Sequence, residues 1–206
     1  MKSARIIIFA KAPRPGLAKT RLIPALGAEG AAELAQRMLV HTVNEALAAN
    51  VGVVELCVTP TVDAAWSDIE LPAGIEISDQ GEGDLGARMA RAAARALNKG
   101  EAVLLVGTDC VEMSADLLRE AWLVLHDRDA IIHCTVDGGY ALLGIRQFSP
   151  FLFGNMPWST DAVAGTTIAR LGQLGWSVHV GQMLHDVDEP QDLKYIGEKW
   201  RSYVVA

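Results

Sequence analysis

The sequence predicts an α/β fold of three layers, α/β/α, built on a mostly parallel, mixed sheet. Three observations predict it. Short apolar runs rich in β-branched residues alternate with segments of helical period, the pattern of successive βαβ units. The strongest runs are apolar on both pleat faces, as in strands covered by helices on both sides. No internal repeat and no linker breaks the 206 residues, so one domain over 1–206 is expected. A chain of that length hides roughly 70% of the surface it exposes when unfolded.

The elements follow in order. Arg5 to Ala10 (RIIIFA) is a buried strand, followed by a loop broken by Pro and Gly from Lys11 to Leu22 (KAPRPGLAKTRL). Apolar residues at 31, 34, 35, 38, 39, 42, 43, 46 and 47 predict a helix near Glu29–Ala49. Val53 to Thr59 is a second strand, and Gly74 to Ser78 offers a short third. A helix near Leu85–Leu97 places Leu85, Met89, Ala92, Ala93, Ala96 and Leu97 on one face. Ala102 to Gly107 (AVLLVG) is the clearest buried strand. The next helix, near Ser114–Leu125, has Ser114 as its N-cap. Ala130 to Val136 and Tyr140 to Ile145 are strands joined through Asp137-Gly138-Gly139, which is turn chemistry. Ser159, Thr160 and Asp161 are candidate caps of a helix that Gly175 ends. Trp176 to Val180 is a last strand, and Pro190 suits the first turn of a terminal helix.

Composition excludes several classes of function. Half the residues are hydrophobic and 21% are charged, which a disordered chain is not. Eighteen Lys and Arg against 25 Asp and Glu give a net charge of −7, whereas duplex-DNA binders carry a basic surplus; no nucleic-acid partner is expected. No window reaches the roughly 18 apolar residues of a membrane span. The apolar run Ile6–Ala10 is too short for a signal-peptide core. Three cysteines, Cys57, Cys110 and Cys134, form no C-x-x-C pair, which argues against a disulfide framework or structural zinc. The protein is therefore expected to be cytoplasmic and free of the membrane. Twofold pairing is the commonest oligomeric state, so a homodimer is the default expectation.

Ligands of open α/β sheets bind beyond the carboxyl ends of the strands, so the polar residues just after each strand mark the candidate site. Lys11, Arg14, Lys19 and Arg21 follow the first strand. Thr108 and Asp109 follow AVLLVG, Asp137 follows the fifth run, and Asp186 and Asp188 follow the last. Four cations in eleven residues of an acidic chain suit an anion. Carboxylates opposite them suit Mg²⁺, which binds through one or two carboxylates plus substrate phosphates. The basic loop matches neither the Walker pattern nor G-x-G-x-x-G. Plainer roles stand beside these: the loop as a solvated turn, Asp109 as a helix cap, Asp137 as the start of its turn, and Asp188 as the N-cap of the last helix. Cys110 beside Asp109 has no histidine near it in sequence to make a catalytic pair. The five histidines lack zinc spacing, and His41, on the long helix, reads as structural.

Six motifs occur in order: FAKAPRPGLAKTRL (Phe9–Leu22), SDQGEGDLGARM (Ser78–Met89), LLVGTDC (Leu104–Cys110), DGGYALLG (Asp137–Gly144), WST (Trp158–Thr160) and DVDEPQDL (Asp186–Leu193). Together they resemble the bacterial radical-SAM/selenodomain-associated transferases, a branch of the GT-A or nucleotide-diphospho-sugar transferase fold. The resemblance spans about Ile6 to Tyr195. It implies that Lys11, Arg14, Gly16, Lys19 and Arg21 wrap nucleotide phosphates, with Lys19 neutralising them. It implies Asp109 and Asp188 as ligands of Mg²⁺ or Mn²⁺, and Asp109 with Lys19 as the catalytic pair. Gln80, Asp84 and Arg88 match positions that hold base, ribose or acceptor in related enzymes. Asp137, Gly138 and Gly139 fall on the acceptor side. Val111, where the family pattern has proline, and Cys134-Thr135-Val136 depart from that pattern.

The expected activity is nucleotidyl transfer from a nucleoside triphosphate to a small phosphorylated acceptor. Two alternatives remain open: glycosyl transfer from a nucleotide sugar, against which Thr108-Asp109-Cys110 supplies one carboxylate rather than a D-x-D pair, and nucleotide binding without turnover.

Overall fold

Inside the sheet runs β1 (Ala4–Lys11), whose side chains are buried on both faces from Ala4 to Ile8. β2 (Gly52–Thr59) and β4 (Ala102–Gly107) pair with it in parallel on either side. β3 (Glu76–Asp79) adds a parallel edge to β2. On the far side, β6 (Tyr140–Ile145) lies antiparallel between β4 and β5 (Ala130–Cys134), and β7 (Val178–Val180) closes the edge parallel to β5. The strand order is β3-β2-β1-β4-β6-β5-β7, with β6 the one reversed strand of the seven. This computed structural model describes residues 3–61, 65–197 and Trp200.

Alternation along the strands sends side chains to two helical layers. Ala4, Ile6, Ile8 and Ala10 pack with Leu39, Val43 and Ala46 of α1 (Ile23–Ala49) and Leu118, Ala121 and Leu125 of α3 (Ala115–Asp127). Ile7 and the residues Val103 and Leu105 of β4 face the other way. They meet Met89, Ala92, Ala93 and Ala96 of α2 (Leu85–Leu97), with Ala164 and Leu171 of α4 (Val163–Gln173). A third cluster joins Leu22, Leu34 and Met38 to Val187, Ile196 and Trp200. It ties the C-terminal segment to the start of α1, which brings residues 186–188 to the carboxyl end of the sheet.

Several boundaries differ from the expectation. α1 begins at Ile23, six residues early, and breaks at Gly27, whose φ of 70° is non-helical. The strand expected to reach Val136 ends at Cys134, where the β5–β6 register shifts. Ser159, Thr160 and Asp161 do not cap α4; it starts at Val163 after a turn in which Ser159 takes φ 63° and Thr160 donates to Pro157 O. The element beginning at Pro190 is a six-residue 3₁₀ helix, Pro190–Tyr195. At the amino end of the sheet, Arg5 is buried against Glu55 (2.9 Å), Glu76 (2.6 Å) and Glu101 (2.7 Å), and Arg95 also pairs with Glu55. This ionic network lies at the end of the sheet away from the candidate site.

Candidate functional site

A cleft of about 750 Å³ opens over the carboxyl ends of β1 and β4, the position where open α/β sheets bind ligands. One segment of the chain assembles its acidic side. The segment after β7 crosses the strand ends in extended form, bridging Leu184 to Thr135 and Asp186 to Cys110. Val187 N then donates to Asp109 O at 2.9 Å. These contacts set Asp186 and Asp188 beside Asp109.

Lys19 lies at the centre of the polar wall. Its side chain is 6% exposed, and its backbone is left-handed at φ 49°. The ammonium donates to Asp188 Oδ1 (2.8 Å) and Val187 O (2.7 Å), and it pairs with Asp109. Burial alone would lower its pKa; the carboxylates of Asp109 and Asp188 outweigh burial and hold it above the ordinary lysine value. Asp186 sits deeper. Burial, then the charges of Asp109, Asp137 and Asp188, push its carboxyl up to about 8, while Lys19 opposes the shift.

The plainer roles resolve differently from one residue to the next. Asp109 is not a helix cap: Ser114 Oγ accepts from Leu117 N at the start of α3. Asp188 does not cap the last helix either. There Asp192 Oδ2 accepts from the backbone N–H groups of Asp188 and Glu189, and the Asp188 side chain turns to Lys19. Asp137 does start its turn: Oδ1 accepts from Thr135 Oγ1 (2.6 Å) and Gly139 N (3.1 Å), and the residue also lines the cleft. Gly138, at φ 91°, fits against Asp161 so closely that a Cβ would lie 2.2 Å from its carbonyl oxygen.

Of the cations at the end of β1 and in the loop after it, Lys11, Lys19 and Arg21 line the cleft. Arg14 does not: its guanidinium donates to Ala65 O at 2.9 Å and meets Asp68, so it anchors another loop. Gly16 makes a left-handed turn, φ 73°, outside the cleft lining. Asp84 is the N-cap of α2, accepting from Ala87 N at 2.8 Å, and is also outside the lining. Gln80 is buried, and its amide donates to Ala10 O and Cys57 O. Its carbonyl oxygen accepts from Arg88, which faces the cleft. Gln80 thus ties β1 to β2 and positions Arg88.

The opposite wall is partly apolar, with Leu85, Met89, Tyr140 and Trp158 followed by Ser159, Thr160 and Asp161. Of these, all but Asp161 lie within the quoted motifs, but no feature of the sequence assigns them a side of the cleft. Asp186 was visible after the last strand without a role. Its i, i+2 spacing to Asp188 in an extended segment is the signal that places both on one side. Cys110 is buried, and burial pushes its thiol up to about 12, so it stays protonated and unsuited to nucleophilic work.

Among the described residues, no helix is long and apolar enough to cross a membrane. No curated protein matches the chain. A crystal structure of a candidate nucleotide-diphospho-sugar transferase from Desulfovibrio desulfuricans is 28% identical, with a TM-score of 0.88 over 98% of this chain and 89% of that one. CMP:2-keto-3-deoxy-manno-octonic acid synthetase complexed with CTP is 12% identical, with a TM-score of 0.60 over 94% and 96%. The protein Rv0371c of Mycobacterium tuberculosis, in complex with manganese, is 17% identical, with a TM-score of 0.50 over 94% and 97%. The two more distant likenesses are likenesses of fold, and the architecture is nucleotide-diphospho-sugar transferase-like. The model of the family described as uncharacterized protein conserved in bacteria (DUF2064) matches residues 42–160, more than half of the sequence, and the chain belongs to that family.

Proposed function

We propose that this protein is a nucleotide-using transferase that moves a nucleotidyl group from a nucleoside triphosphate to a small phosphorylated acceptor with the help of Mg²⁺ or Mn²⁺. The observation that carries the reading is the meeting of Lys19 with Asp109 and Asp188 at the carboxyl ends of the strands, in a cleft that Lys11, Arg21 and Arg88 also line. Charges of both signs in one cleft suit a polyphosphate accompanied by a divalent ion. The six motifs, the CTP complex of one fold relative and the manganese complex of another support the same reading.

The donor set fits the ion. Carboxylate oxygens suit Mg²⁺ and Mn²⁺. Asp109 and Asp188 offer two carboxylates side by side, which suits an ion that shares its shell with substrate phosphates. Asp109 and Asp188 would hold it; when bound, it supplies positive charge against phosphate oxygens.

The chain's own residues do the remaining work. An acceptor oxygen attacks the α-phosphorus, the bond to the bridging oxygen breaks, and pyrophosphate leaves. Lys19, Lys11 and Arg21 face the departing charge, and Arg88, steadied by Gln80, orients the nucleoside. The Asp137–Gly139 hairpin and the wall from Trp158 to Asp161 hold the acceptor. Such catalysis is positioning plus charge stabilisation.

A thermal-shift screen of nucleoside triphosphates and nucleotide sugars, each with and without Mg²⁺ or Mn²⁺, tests it. A ligand at 100 times its Kd adds about 2.7 kcal/mol, or about 5–10 °C for a chain of this size. A metal-dependent shift with one triphosphate, and pyrophosphate release with an acceptor, is the expected result; no shift with any of them overturns it. Glycosyl transfer is the second reading, favoured by the 28% identical relative. Release of nucleoside diphosphate from a nucleotide sugar would establish it instead.

A further inference from the structure

An ammonium has three N–H donors and no more. Lys19 uses all three within the protein: one on Asp109, one on Asp188 Oδ1 and one on Val187 O. The same two carboxylates are the proposed holders of the divalent ion. The side chain is 6% exposed, so solvent offers it little alternative. In this arrangement Lys19 has no donor left for a phosphate, and Asp109 and Asp188 already have a cation between them. Both assignments, Lys19 to phosphate and the two carboxylates to metal, cannot hold at once with Lys19 in this position.

We infer that Lys19 is the resident counter-ion of Asp109 and Asp188, and that nucleotide and divalent ion enter by exchange. A phosphate oxygen takes over the ammonium, the freed carboxylates take the ion, and neither exchange completes alone. Charge balances at each end. The ammonium's partners pass from carboxylate to phosphate, and the carboxylates' partner passes from ammonium to metal. No bond within Lys19 changes. The local charges explain why a resident cation is needed. Asp109, Asp137, Asp186 and Asp188 all line the cleft; without Lys19, carboxylates would crowd one corner of it. The left-handed backbone at Lys19, φ 49°, is a conformation that L residues adopt at some cost, and it aims the side chain inward. The device makes metal binding conditional on nucleotide. It rests on the metal-and-nucleotide reading above and goes beyond it by fixing the order of events.

The test is Mn²⁺ binding by the full chain, followed through water-proton relaxation, for wild type, Lys19→Met and Lys19→Arg. Lys19→Met removes the competing charge and keeps the length of the side chain. Wild type should bind Mn²⁺ alone weakly, Lys19→Met roughly tenfold or more tightly, and Lys19→Arg as weakly as wild type. A merely structural lysine would give the two variants the same affinity. In wild-type protein with ¹³C at lysine Cε, the Lys19 resonance should stay in place with Mg²⁺ alone and move with Mg²⁺ plus inorganic tripolyphosphate. That measurement needs no variant to fold. Wild type binding Mn²⁺ alone as tightly as Lys19→Met, or a Lys19 resonance that moves with Mg²⁺ alone, overturns the exchange and leaves the transferase reading standing. If folded wild type and Lys19→Met both fail to bind Mn²⁺ with tripolyphosphate and with every triphosphate, the metal-and-nucleotide reading falls, and the exchange with it.

Discussion

Replacing Asp109 by Asn separates what that carboxylate does for the fold from what it does in the cleft. The change keeps the shape and removes one negative charge. Its attraction to the Lys19 ammonium is lost, which at contact distance and an effective dielectric constant of 20 is about 4 kcal/mol before screening. The Asp109 side chain is 43% exposed, so the attraction falls toward the ~1 kcal/mol of surface pairs. Two terms offset even that. Lys19 keeps Asp188 and Val187 O, and the repulsion that Asp109 exerts on Asp186 disappears. The net change in stability should stay within about 1 kcal/mol, a Tm displacement of about 2–4 °C. Function should respond very differently. The extra stabilisation that Mg²⁺ adds to a bound triphosphate should vanish, and turnover should fall by about a hundredfold or more, equivalent to about 2.7 kcal/mol. Differential scanning fluorimetry of wild type and Asp109→Asn, each without ligand, with nucleotide alone and with nucleotide plus Mg²⁺, reads the stability and the metal increment, and pyrophosphate release reads turnover. A variant that loses 3 kcal/mol or more without ligand, or that keeps the full metal-dependent increment, would refute the reasoning.

Three further outcomes are expected. The Asp186 carboxyl is raised to about 8 in the folded protein, against about 3.9 in an unfolded chain. The folded state therefore holds a proton that the unfolded state releases, and stability should fall as pH rises from about 4 to about 8. Asp186→Asn should flatten that fall in urea unfolding across the range, and an unchanged slope would exclude Asp186 as its source. Asp129 behaves in the opposite sense. Hydrogen bonds from Ser177, then Arg146, hold its carboxyl well below the usual range, so its stabilisation is present above about pH 4 and is lost on acidification. Asp129→Ala should cost about 2–3 kcal/mol at pH 7, read by chemical denaturation, and much less near pH 2. Gly138→Ala would drive a Cβ into the Asp161 backbone at a positive φ. It should cost about 2 kcal/mol or more and weaken acceptor turnover more than nucleotide binding.

Local chemistry was legible where it decides local structure. The run IIIFA, the AVLLVG strand, the Ser114 cap and the face of α2 from Met89 to Leu97 form as the sequence predicts, while Leu85, expected on that face, is exposed at the cleft. The insertion of β6 between β4 and β5 was not legible, because strand pairing is set by contacts distant in sequence. Side-chain direction in the loop after β1 was equally hidden. Arg14 finds Ala65 and Asp68, some fifty residues away, while Lys19 turns inward through a backbone angle that nothing in KAPRPGLAKTRL announces. The cap role of Asp84 was within reach of the sequence: an aspartate just before a helical run is a natural N-cap. Asp186 was within reach too, from its spacing to Asp188.

The interior position of β1 has a consequence in time. The ribosome makes this strand first, yet its second neighbour, β4, begins at Ala102. About 90 more residues must emerge before both edges of Ala4–Lys11 can be covered, which at 5–20 residues per second is about 5–20 s. Throughout that interval the nascent chain carries an uncharged, β-prone stretch, Ile6 to Ala10, that pairs readily with strangers. Arg5 and Lys11 flank it directly. Before either residue has a role in the finished protein, each is a charged guard on an aggregation-prone segment during synthesis.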